Sequence, residues 1–79
     1  MKYLVVEDFS GQPIPIIFPE GIRHEEMREQ LPYAKVLSAG LVELREGRFV
    51  CFGGSGELSL SARQEDEEIV ASRFRPRQR

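Results

Sequence analysis

The side chains best equipped for covalent or acid–base chemistry are a single thiol, Cys51, and a single imidazole, His24. A thiolate activated by a neighbouring imidazole is a working nucleophile, so this pair is the one candidate for thiol catalysis. The context of each points to structure. Cys51 lies between Val50 and Phe52 in an apolar run, where a free cysteine behaves as a small buried hydrophobe. His24 stands between Arg23 and Glu25 on a polar segment that favours an exposed or capping role. Ser55 is set among Gly53, Gly54 and Gly56, but Glu57 occupies the place of the last glycine in a GxSxG elbow. The same glycines could offer amides to a phosphate, yet no Lys-Ser or Lys-Thr pair follows them and the spacing is not GxGxxG. They read as a flexible loop between elements.

Metal binding fares no better. One histidine and one cysteine would need carboxylates from distant segments to complete a site, and Glu25, Glu26 and Glu29 read as a solvated helix face. No cofactor and no metal site is expected, and the chain is not read as an enzyme.

The elements that would position these residues follow from pattern. Lys2 to Asp8 is β-branched and aromatic, Ser10 to Pro13 is turn chemistry, and Ile14 to Phe18 returns as a second strand. Pro13 and Pro15 lack amide donors and place that strand at a sheet edge. Ile22 to Leu31 predicts a short helix stopped by Pro32, with a narrow stripe of Ile22, Met27 and Leu31. Lys35 to Leu44 predicts a long strand, with Ala39-Gly40 marking a bulge or a close backbone approach. Arg45 to Arg48 supplies a hairpin turn, and Phe49 to Phe52 the partner strand. A short strand is added at Leu58 to Leu60. Ser61 and Gln64 have the spacing of a capping box for a last helix, with Glu65 to Glu68 near its positive end and Arg73 near its negative end. The expected fold is α+β: an antiparallel sheet of four to five strands from two hairpins, with two helices on one face.

Length and charge narrow the function classes. The chain has 79 residues and a formal net charge of −2. A single α+β domain over 1–74 is expected, followed by a disordered basic tail over 75–79. Arg73, Arg75, Arg77 and Arg79 crowd into the last seven positions, leaving an acidic body. The absence of paired cysteines, of a signal-peptide pattern and of about 20 consecutive apolar residues predicts a cytoplasmic protein with no membrane partner.

Phe18-Pro19, Arg23 to Met27, Val36 to Val42, Cys51 to Gly53 and Ser59 to Asp66 together resemble segments of small uncharacterised bacterial and prophage-encoded proteins of about 80 residues. That resemblance implies an accessory protein and carries no functional signature. The reading is a small non-enzymatic protein-interaction domain whose partner is another protein or a second copy of itself. The expected surface is formed by His24, Arg23, Gly53, Gly54, Ser55, Gly56, Arg73 and Arg75. The alternative is a weak nucleic-acid binder acting through the C-terminal arginines.

Overall fold

The computed structural model describes residues 1–33 and 35–74. Arg75 and the rest of the tail lie outside the described residues. The elements are β1 (Lys2–Glu7), β2 (Pro13–Phe18), α1 (His24–Glu29), β3 (Val36–Arg45), β4 (Arg48–Phe52), β5 (Gly54–Ser55), β6 (Leu60–Ser61) and α2 (Asp66–Phe74). The first four strands form an antiparallel sheet in the order β2-β1-β3-β4, and β5 and β6 pair separately. The chain is α+β, and its proline-bearing strand β2 is an edge.

The run Tyr3-Leu4-Val5-Val6 in β1 is fully buried throughout. A strand alternates its side chains between two faces, so an unbroken apolar run needs cover on both. Tyr3 and Val5 pack with Val42 of β3 and Val70 of α2, while Leu4 and Val6 pack with Phe18, Ala39 and the α1-side residues Ile22, Met27 and Leu31. Within the α+β class, the two helices are therefore divided between the faces instead of sharing one.

Two turns set the register. Glu46 and Gly47, both at positive φ (50° and 79°), close the β3–β4 hairpin between the paired Arg45 and Arg48. Positive φ at both central residues is the type I′ geometry that matches strand twist. At the β1–β2 turn the Asp8 carboxylate accepts from the amides of Ser10 (2.9 Å) and Gln12 (2.8 Å) and from the Ser10 hydroxyl (2.8 Å). Those donors hold the Asp8 carboxyl below its ordinary range.

The Ala39-Gly40 pair resolves as a close approach. A Cβ on Gly40 would lie 2.6 Å from the Phe52 carbonyl oxygen and 3.1 Å from the Tyr3 ring. The bulge falls nearby instead, where Val5 pairs with Ser38 and Val6 with Val36, skipping Leu37. Ser38 is itself fully buried, and among the described residues its hydroxyl has no hydrogen-bond partner. An isolated buried hydroxyl keeps its desolvation penalty. Ser38→Ala is expected to raise the unfolding free energy by about 1 kcal/mol in urea titrations, and a loss of that size would contradict the isolation of the hydroxyl.

Candidate functional site

His24 opens α1, but its ring is turned into the protein. It is only 5% exposed, meets Phe18 edge-on at 5.4 Å between centroids, and places Nε2 2.9 Å from the Gly40 carbonyl oxygen. A carbonyl can only accept, so Nε2 donates and pins α1 to β3. The expected exposed or capping role is corrected: the apolar edge contact with Phe18 and the hydrogen bond to the Gly40 carbonyl hold the imidazole inward. The start of α1 is tied down by other groups. The Arg23 amide donates to Glu26 Oε1 (3.0 Å), while Glu57 receives the Arg23 guanidinium at 3.1 Å and the Glu25 amide at 3.4 Å.

Cys51 lies on the opposite face of the sheet, against the cluster of Tyr3, Val5, Val42 and Val70. The thiol and the imidazole therefore do not meet. The neighbourhood of Cys51 is built around Asp66, which is fully buried. Asp66 Oδ2 accepts from the Tyr3 hydroxyl at 2.5 Å and from the Arg63 amide at 2.9 Å, and Oδ1 accepts from Arg63 Nε at 3.0 Å. These bonds tie the central strand to the start of α2. They also occupy the role assigned in sequence to Ser61 and Gln64: the same i,i+3 spacing is used two residues later, by Arg63 and Asp66. Next along the helix, Glu67 Oε2 accepts from the Cys51 backbone amide at 3.0 Å.

Burial pushes the Cys51 thiol up from its ordinary 9.0 to about 11; the Tyr3 hydroxyl opposes the rise, and the charges of Asp66 and Glu67 add to it. Burial also raises the Tyr3 phenol, helped by its hydrogen bond to Asp66 and by the charge of that carboxylate. A group whose native pKa is raised stabilises fully below its unfolded value, and the contribution is lost as pH rises through the native one. Stability from Cys51 is thus expected to fall between pH 9.0 and about 11, joined by Tyr3 above pH 10.0. Urea midpoints measured against pH should show a shallower alkaline fall in Tyr3→Phe. The native thiol should react with an aromatic disulfide at neutral pH far more slowly than the unfolded one; equal rates would contradict this environment.

The glycine segment is ordered rather than a flexible loop. Gly54 pairs with Ser61 and Ser55 with Leu60, and a Cβ on Gly54 would strike the Leu60 carbonyl at 2.7 Å. Glycine is present because this narrow ladder leaves no room for a side chain. Ser55 is buried, and its hydroxyl accepts from the Leu58 amide at 3.3 Å, closing the turn between β5 and β6. Leu58 and Leu60 pack onto the α1-side cluster.

Of the residues expected to form one surface, the fold brings the Arg23 end of α1 against the β5–β6 turn through Glu57. It buries His24 and Ser55, leaves Gly53, Gly54 and Gly56 exposed, and places the exposed Arg73 on α2, across the sheet from α1. Between α1 and the turn lies an open, shallow depression lined by Glu25, Arg28, Val36, Glu57, Leu58 and Leu60. Among the described residues no group of three or more His, Cys, Asp or Glu side chains is placed to hold a metal. No helix among them is long and apolar enough to cross a membrane.

A different surface is more prominent. β1 runs beside β3 only as far as Lys2 opposite Leu41, extended by the Met1 carbonyl accepting from the Val42 amide at 2.8 Å. From Glu43 onward the β3–β4 hairpin continues as a two-stranded arm. Leu44 on this arm is 56% exposed, opposite the half-buried Phe49. On the other face Val50 of the arm and Phe52 at its base, opposite Leu41, are half-buried and, among the described residues, belong to neither core cluster. The Arg45 guanidinium lies 5.6 Å from the Phe52 ring centroid. The signal was present in residues 43–50, where Leu44 and Phe49 on one face and Val50 on the other are apolar beyond the reach of β1. No family model, curated protein or solved structure matches the chain.

Proposed function

We propose that the chain is a non-enzymatic protein-interaction module that presents its β3–β4 arm to a protein partner. The carrying observation is the arm itself: Leu44, Phe49 and Val50 lie partly or largely exposed where the hairpin outruns its neighbouring strand, with the half-buried Phe52 at its base. A two-stranded ribbon is marginal by itself in water, and clustered exposed apolar side chains mark interaction surfaces. The fates of the reactive residues support the same reading. His24 anchors α1 to β3, Cys51 packs under α2 beside the Tyr3–Asp66 bond, and Ser55 closes a turn. Each is engaged in holding the fold.

The test is site-specific photocrosslinking in cells. A photoreactive amino acid at Leu44 is expected to give a discrete cross-linked species, identified by mass spectrometry as a second copy or another protein. The same residue at Gln12, an exposed position in the β1–β2 turn, serves as the control. Cross-linking at Gln12 but not at Leu44 would overturn the proposal.

A further inference from the structure

The Cys51 amide donates to a carboxylate on α2, so it points away from β3. Backbone groups alternate in direction along a strand, and Phe49 therefore faces the same free edge. That edge carries the sequence Arg48-Phe49-Val50-Cys51-Phe52, rich in strand formers and with one charge. Exposed edges of this kind template another strand unless something blocks them. Here Glu67 fills the position that a carbonyl of an added strand would take.

We propose that the β4 edge pairs with the β4 edge of a second copy, antiparallel about Val50, and that Glu67 is the guard displaced when it does so. This rests on the interaction reading above and names the partner. The edge is self-complementary. Arg48 stands at one end of β4, where among the described residues it makes no ion pair, and Glu67 sits at the other. A two-fold about Val50 exchanges hydrogen bonds between Phe49 of each copy and Cys51 of the other. It sets Arg48 of each copy opposite Phe52 of the other, the guanidinium-on-ring pairing that Arg45 already makes within the chain. Each displaced Glu67 is left near the other copy's Arg48. The two sheets then become one continuous sheet, the self-matching contact that two-fold symmetry requires.

The register gives a direct test. Val50 meets its own counterpart in a pair without mutual hydrogen bonds, with Cα atoms about 4.5 Å apart, inside the disulfide range of about 4.4 to 6.8 Å. In a Cys51→Ser background, Val50→Cys is expected to form an intermolecular disulfide under mild oxidation, while Arg48→Cys and Phe52→Cys are expected to form none. Sedimentation of the wild-type chain from micromolar to millimolar concentration should show a reversible dimer. Glu67→Ala, which removes the competing acceptor, should tighten it about tenfold or more; Glu67→Gln, which keeps an acceptor and the local packing, should fall between. Monomers throughout, with no disulfide from Val50→Cys, overturn the pairing of copies. So does a dimer whose disulfide forms equally well from Arg48→Cys. If residue 44 nonetheless cross-links to a different protein, the interaction reading survives; if it cross-links to nothing, both fall.

Discussion

Asp66→Ala is expected to destabilise the fold by about 3 to 5 kcal/mol, the largest loss of any single side chain beneath α2. The carboxylate is fully buried and accepts from Tyr3, from the Arg63 amide and from Arg63 Nε. Truncation strands all three donors, and a donor left unpaired inside the protein keeps its full desolvation penalty. For a domain this small the loss consumes most of a stability margin of order 5 kcal/mol, so the variant should be largely unfolded in mild urea. Tyr3→Phe removes only one donor and leaves Asp66 two others; a loss of about 1 to 2 kcal/mol is expected. A double-mutant cycle should show coupling between the two positions. If Asp66→Ala unfolds within 1 kcal/mol of wild type, the carboxylate does not hold β1 to α2.

Gly40→Ala is the second large effect, about 3 kcal/mol. The added methyl would lie 2.6 Å from the Phe52 carbonyl oxygen, and that obstacle is backbone, so no rotamer change relieves it. β3 and the end of β4 must separate, which also shifts the Gly40 carbonyl that receives His24 Nε2. Chemical unfolding should report the loss, and the His24 ring resonances should move with it. A mutation made under α2 would then be felt at α1. Ala62→Gly should not rescue it, because the Ala62 Cβ, at 3.3 Å, is the lesser obstacle.

Local patterns carried much of the architecture. The Tyr3 to Val6 run, the prolines of β2 and the Arg45 to Arg48 turn each specify their element through short-range rules of alternation, missing donors and positive φ. The same β1 run held a signal that the expectation of two helices on one face passed over, since four consecutive apolar residues cannot be covered from one side. What escaped were contacts across long separations. Asp66 reads as one of four acidic residues favoured by a helix dipole, and nothing nearby in sequence shows that a phenol 63 positions away needs its oxygen. Glu67 reads the same way until the edge of β4 is placed beside it. His24 is flanked by charged residues, yet Phe18 and Gly40, which bury it, belong to other elements. The glycine segment reads as loop because the ladder that demands glycine is itself made by its return strand.

The central claim is that function resides on the β3–β4 arm and not on the reactive side chains. Residue-resolved amide exchange on the purified chain, followed from micromolar to millimolar concentration, tests it most directly. The account predicts that added protection at high concentration is confined to β4, strongest at Phe49 and Cys51, while α1 and the β5–β6 turn are unchanged. Protection gained instead around His24 and Gly53 to Gly56, with β4 exchanging at the same rate throughout, would contradict it.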